Sequence, residues 1–324
     1  MPGQNDLRHF AVQVPATSAN LGPGFDAFGL ALDRYLTVKS VDRDAQPMRV
    51  RTDGPGASDL PGGDDNLVWR SFVTFCERYD VAVPDVALRA NTAVPLERGL
   101  GSSSSAIVAG LVLARAVTGA AVSDQQLVET ASLLEGHPDN VAPALLGGLV
   151  ACTYDDDGQL VIRRLNPASH LRPFALVPTS RQATHVARSV VPTSLPREDV
   201  AVQAGRAGHV LGALAGLWPA DHGAVGDRLH EPARLKVMEP SAVLIHALRD
   251  AGVHAWLSGA GPSIAAVVPA GAVEAEQIVA EVAGAHQVDL YSLSFDLSGA
   301  LTSPADSCAF SGSTGCMQCP HCRV

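Results

Sequence analysis

The stretch PLERGLGSSSSA, Pro95 to Ala106, organises the rest of the chain. Gly99 and Gly101 stand one residue apart, Ser102, Ser103, Ser104 and Ser105 follow, and the apolar run Ile107 to Val117 begins at once. Glycine lets a backbone turn tightly and approach a ligand, and serine hydroxyls can cap the first turn of a helix. A helix start presents unpaired N–H donors and the positive end of its dipole, which suits a phosphate. The hydroxyls also offer contacts to phosphate oxygens or to a magnesium ion. No lysine follows the glycines, so this is not a Walker A loop, and the six-position dinucleotide fingerprint is missing too. Alone, the stretch is equally a Gly/Ser-rich turn before a buried helix.

Outside it, 47% hydrophobic and 17% charged residues permit a substantial core, and 324 residues accommodate two domains. The net charge of −10, spread along the chain, argues against a nucleic-acid partner, which calls for a basic face. The start, MPGQNDLRHF, has no apolar signal core, and no apolar run reaches about 18 residues. A cytoplasmic location with no membrane partner is therefore the default expectation. Cys76 and Cys152 lie in apolar surroundings and read as reduced core residues.

Working outward from the glycines, Val86 to Val94 reads as a strand, Asn66 to Tyr79 as a helix and Thr52 to Asp65 as a loop. Phe10 to Pro15, Tyr35 to Asp42 and Met48 to Arg51 read as strands. In the other direction, Ile107 to Val117 is a helix buried on most faces and ended by Gly119. Ser123 or Asp124 caps a further helix to about Leu134, a loop follows through EGHPDN, and strands come at Gly148 to Tyr154 and Gln159 to Arg164. After Pro167 the order becomes strand, helix, helix, strand, helix, strand, which suggests an α+β sandwich for the second half.

Three further loops carry polar clusters. Pro15 to Asp26 holds Ser18, Asn20 and Asp26 around Gly22 and Gly24, either as turn chemistry or as a pocket wall for an amine or hydroxyl. Glu135 to Asn140 packs Glu, His, Asp and Asn into six residues, and carboxylates beside a phosphate site suit magnesium. Glu129, on the preceding helix, competes with Glu135 for that role, and His137 alone reads more readily as a structural histidine. Leu257 to Ser263 (LSGAGPS) is a second Gly/Ser loop. Two such loops with a carboxylate cluster favour phosphate chemistry.

Together these residues resemble a known family. Pro95 to Ala106 looks like the phosphate loop of the GHMP kinases (galactokinase, homoserine kinase, mevalonate kinase, phosphomevalonate kinase), and Ser258 to Ser263 resembles their C-terminal glycine loop. PATSANLGPGFD (Pro15 to Asp26) and EGHPDNVAPALLGG (Glu135 to Gly148) are similar to the homoserine kinase branch, and the likeness runs from about Phe10 to Thr302. The resemblance implies a two-domain α+β fold. Residues 1–168 would form a ribosomal-protein-S5-like domain and residues 169–302 a ferredoxin-like α/β sandwich, with the active site in the cleft between them. It implies ATP plus L-homoserine going to ADP plus O-phospho-L-homoserine, a step toward threonine, in a family where homodimers are common.

By the same resemblance Pro95, Arg98, Gly99, Leu100, Gly101 and Ser102 to Ser105 wrap the phosphates, and Asn66 lies near the adenine. Asn20, Asp26, His137 and Gly261 meet the substrate, while Arg188 and Arg234 grip its carboxylate, as planar guanidinium forks do. Ser103 and a glutamate hold Mg2+; spacing in related kinases points to Glu129, with Glu135 the other candidate. Asn140 falls where some relatives carry a catalytic aspartate, so Asn140 and Arg188 would work by orientation and electrostatics without a base. A kinase for another small alcohol, such as mevalonate, and a non-catalytic nucleotide sensor are the competing expectations. Beyond Thr302, Cys308, Cys316, Cys319, His321 and Cys322 have ligand types suited to zinc, but no folded knuckle of standard length is apparent. A flexible Cys-rich tail over 303–324 is expected instead.

Overall fold

The computed structural model describes residues 9–181 and 184–305; the expected flexible tail over 303–324 is corrected at its start, where Ser303 and Pro304 are in a strand, and from residue 306 onward lies outside the described residues. The first half builds a mixed sheet with helices on one face. Its strands are β1 (Phe10–Ala19), β2 (Phe28–Asp42), β3 (Val50–Asp53), β4 (Val86–Thr92), β5 (Leu149–Tyr154) and β6 (Leu160–Leu165). Its helices are α1 (Leu67–Arg78), α2 (Ser102–Thr118), α3 (Asp124–Glu135) and α4 (Pro138–Leu146). Val12, Val14, Val38 and Leu88 from the sheet meet Phe72, Phe75, Leu111, Leu127 and Val141 from the helices in one core.

α2 is apolar on most faces because it lies against both α1 and the sheet: Ile107 through Ala114 are all buried. α3 begins with a reciprocal capping box between Ser123 and Gln126. Where the sequence suggested a loop through EGHPDN, α4 starts at Pro138. Proline is compatible with a first helical turn, whose N–H has no intrahelical partner, and Asp139 beside it complements the helix dipole. Pro143 inside α4 cannot donate back to Asp139, and the freed Asp139 carbonyl packs against Gly29. A Cβ on Gly29 would come within 1.7 Å of that oxygen.

The second half adds β7 (Leu171–Val177), α5 (Thr184–Ser189), α6 (Arg197–Leu214), α7 (Glu231–Arg234), α8 (Glu239–Asp250), β8 (His254–Leu257), β9 (Ile264–Pro269), α9 (Val273–Ala285) and β10 (Asp289–Ser292). The strands form an antiparallel sheet in the order β10-β7-β9-β8. The run IAAVV at Ile264 is apolar throughout because both faces of β9 are covered. Ile264, Ala266 and Val268 face Leu244, Leu248 and Val279 of α8 and α9. Ala265 and Val267 join Trp256, Val210 and Leu214 in a cluster that also takes Leu21, Leu30 and Leu100 from the first half. That cluster fixes the two halves against each other beside the cleft.

A last strand, β11 (Leu301–Pro304), was not foreseen. It pairs antiparallel with β1, Phe10 opposite Pro304, and so belongs to the first sheet. The crossing back precedes residue 302, the expected end of the second domain: Phe295 bridges Leu32, and Gly148 donates to the Asp296 carbonyl.

Candidate active site

One wall of the cleft is the turn into α2. Gly99 and Gly101 both take left-handed conformations, φ +78° and +70°. A Cβ would lie 2.2 Å from the Ser258 carbonyl oxygen at Gly99 and 2.0 Å from Thr17 Oγ1 at Gly101, so neither position admits another residue without a shift. The expected serine cap is absent because Gly101 itself occupies the capping position of α2. The hydroxyls go elsewhere. Ser105 Oγ donates to the Pro15 and Gly101 carbonyls, while Ser103 Oγ and Ser104 Oγ donate to the two oxygens of Glu135 at 2.9 and 2.7 Å. The amides of Ser102, Ser103 and Ser104 are left without an intrahelical acceptor, in the arrangement that suits an anion. Glu135 ends α3, where the dipole disfavours a carboxylate, and the two serine hydroxyls offset that cost.

The opposite wall is made of charged side chains. Asp26, at φ +55°, takes both terminal nitrogens of Arg188, at 2.6 and 3.1 Å. Asn20 holds the loop beneath it, accepting from the Asp26 amide and donating across to the Gly259 carbonyl. Arg234 is 2% exposed and donates to the carbonyls of Ala187 and Gly259, both at 3.0 Å. Burial, then the neighbouring charge of Arg188, pushes its titration down to about 10. The Phe25 ring lies 5.6 Å from the guanidinium of Arg188 and 5.4 Å from that of Arg234.

His137 Nδ1 is hydrogen-bonded to the buried Asp139 carboxylate. Burial opposes a charge on this ring, but the bond to Asp139 and the charges of Asp139 and Glu135 outweigh it and raise its pKa. Donor atoms of Asp26, His137 and Asp139 lie within 4.8 Å of one another, a set fit to surround a cation. Asn140 Oδ1 accepts from Thr17 Oγ1 at 2.7 Å.

Asn20, Asp26, Gly99, Gly101, Ser102, Ser103, Glu135, His137, Asn140, Arg188, Arg234 and Gly261 thus line a single cleft. Glu97, Asp139, Gly259 and Ala260, which had no assigned role, line it too. Asp139 was the findable one, since it sits between His137 and Asn140. The other candidates do not line it. Asn66 caps α1, accepting from Val68 N and donating to the Pro61 carbonyl, so its amide is engaged on both sides. Leu100 is core, Ser104 and Ser105 sit behind the turn, Pro95 is half-buried at its entry, and Arg98 reaches away to the Thr179 carbonyl. Of the two glutamates proposed for magnesium, Glu135 lines the cleft and Glu129 does not. Six residues from Glu135 on α3, it lies about 240° around the helix and accepts from Gln125, which also bonds the Leu160 carbonyl.

A turn that offers amides to an anion, facing a wall of paired charges between two α+β domains, is the layout of a small-molecule kinase. Residues 66–148 match the model of the GHMP kinases N terminal domain, and residues 211–286 that of the GHMP kinases C terminal domain. The chain is 42% identical over 260 residues to a homoserine kinase of Synechococcus sp., covering 79% of this chain and 84% of that one. It is 35% identical to one of Desulfitobacterium hafniense, over 89% and 98% respectively. The crystal structure of homoserine kinase from Cytophaga hutchinsonii superposes with a TM-score of 0.76 at 25% identity, over 94% of this chain and all of that one. The chain belongs to the homoserine kinases of the GHMP kinase superfamily. Among the described residues no helix is long and apolar enough to cross a membrane.

Proposed function

We propose that this chain transfers the terminal phosphoryl group of ATP to the side-chain hydroxyl of L-homoserine, giving ADP and O-phospho-L-homoserine on the way to threonine. The observation that carries this reading is the Asp26–Arg188 pair, with Arg234 beside it, opposite the Gly99–Ser103 turn. The two walls match the two reactants. An amino acid presents one cation and one carboxylate, and Asp26 and Arg188, paired with each other, are the complementary charges.

In this reading the α-ammonium is taken by Asp26, with the Asp139 carboxylate close by. The carboxylate is taken by Arg188 and Arg234, whose geometry is fixed by backbone carbonyls. Gly99, Gly101 and the amides of Ser102 to Ser104 cradle the phosphates. Ser103 and Glu135 supply oxygens suited to Mg2+, which when bound neutralises phosphate charge. Where some relatives carry a catalytic aspartate this chain has Asn140, whose amide does not accept a proton near neutral pH, and the adjacent Asp139 is tied to His137. The hydroxyl proton then passes to the transferred phosphoryl group, and the chain contributes positioning and charge.

The test is ADP release with ATP and magnesium, comparing L-homoserine, mevalonate and no acceptor. Turnover confined to L-homoserine is expected. Turnover with mevalonate alone would keep the phosphate wall and cancel the assignments to Asp26, Arg188 and Arg234.

A further inference from the structure

His230 lies outside the cleft lining and had no role in the sequence. It is completely buried, at the start of α7, one turn before Arg234. Its two ring nitrogens meet two partners of opposite kind. Nε2 is 2.9 Å from the carbonyl oxygen of Gly22, in the β1–β2 loop that carries Asp26, and Nδ1 is 3.3 Å from Nη1 of Arg234. A carbonyl only accepts and a guanidinium only donates, so both contacts are hydrogen bonds in one form of the ring alone: neutral, with hydrogen on Nε2 and a bare Nδ1. The other neutral tautomer loses both contacts, and the charged ring sets a second cation against Arg234.

The ring is itself held. Its backbone amide donates to Asp227 Oδ2 at 2.6 Å, and Phe25 stacks on it at 5.3 Å. Asp227 also receives the amides of Leu229 and Glu231, and Glu231 is clamped by Arg249 from α8. His230 therefore joins a rigid part of the second domain to the substrate loop of the first. It also fills one of the few acceptor positions available to the Arg234 fork.

We propose that His230 is a positioning residue for substrate binding: as the Nε2–H tautomer it anchors the Gly22 loop and orients Arg234 toward the substrate carboxylate. This rests on the assignment of Arg234 as a carboxylate grip. Losing an acceptor that aims an arginine weakens a charge-assisted contact, an effect on the order of tenfold.

The experiment is steady-state kinetics on His230→Gln and His230→Asn, each with L-homoserine and with 2-amino-1,4-butanediol, which lacks the carboxylate. Glutamine keeps a donor for Gly22 and loses the acceptor; asparagine places an oxygen near the Nδ1 position and keeps it. His230→Gln is expected to raise the KM for L-homoserine about tenfold with kcat little changed, and to raise the KM for the diol far less. His230→Asn, which keeps the acceptor for Arg234 but gives up the donor to Gly22 on the loop carrying Asp26, should recover part of the loss on L-homoserine and weaken both acceptors alike. In His230→Gln, equal losses on both acceptors or an unchanged KM for L-homoserine would overturn the proposal. Nitrogen-15 NMR of the wild-type protein gives an independent check, with a bare Nδ1 expected and a protonated Nδ1 overturning it. Arg234→Met separates the two levels: an unchanged KM there defeats the carboxylate assignment together with this proposal. A raised KM there with an inert His230→Gln defeats the proposal alone.

Discussion

Across the cleft, the wall formed by Gly99, Gly101, Ser102 and Ser103 contains no cationic side chain among the described residues lining it, and its one nearby charge on α3 is Glu135. What it offers an anion is backbone amides and a helix start. The wall formed by Asp26, His137, Asp139, Arg188 and Arg234 is the reverse, an array of side-chain charges from two domains. The first depends on conformation and fails when a Cβ is added. The second depends on charge pairing and fails when a charge is removed, with the fold intact.

The largest effect should come from Gly101→Ala, where a methyl group meets Thr17 Oγ1 and the left-handed φ adds about 1 kcal/mol of strain. Turnover is expected to fall at least about 100-fold with a higher KM for ATP, the scale on which small misplacements act on transfer reactions. Gly119→Ala, at the other end of the same helix with φ +69° and nothing within 4 Å, carries similar strain without the clash and should keep its kinetics. If both variants lose activity alike, the first wall is not conformation-limited.

Asp26→Asn tests the second wall. It leaves Arg188 without its partner, and the KM for L-homoserine should rise about tenfold or more at unchanged KM for ATP. The preference for L-homoserine over a carboxylate lacking the amine should fall. A raised KM for ATP would mean that the two walls are not separable.

Glu135→Gln should raise the magnesium concentration for half-maximal turnover about tenfold, the scale of losing one charged ligand, whereas Glu129→Gln should stay within about twofold. The reverse ranking would return the metal role to Glu129.

The smallest effect lies away from both walls. His254 is buried, and burial, followed by the charges of Arg249, His222 and His209, lowers its pKa from 6.5 to about 3. The unfolded chain then binds a proton that the folded one refuses between those values, so stability rises with pH across that window and is lost as pH falls toward 3. His254→Phe should flatten this acid-side decline in melting temperature and leave both KM values alone. A change in either KM would mean that the second sheet is coupled to the cleft.

Much of this was legible because period and punctuation carry it. The IAAVV strand, the apolar α2 and the capping box at Ser123 are local signals, and the four polar loops converge on one cleft. α4 was hidden because Gly136 and Pro138 read as loop, although proline at a first helical position is a start signal. Choosing between Glu129 and Glu135 requires the phase of α3 relative to α2, which spacing in other kinases cannot supply. Asn66 shows the converse: a residue placed by motif caps a helix, accepting from Val68 and donating to Pro61, outside the cleft lining. The role of His230 rests on a contact across the fold, to Gly22, 208 residues away.

The pairing of β11 with β1 has a consequence for how the chain is made. Synthesis runs from the N-terminus, and domains generally fold as units as they emerge. Here the first sheet is completed by Leu301–Pro304, which are made only after the whole of the second domain. β1 must wait, with one edge unpaired, until the second domain has been made. A nascent chain halted anywhere before residue 301 carries an exposed sheet edge, the feature that invites aggregation.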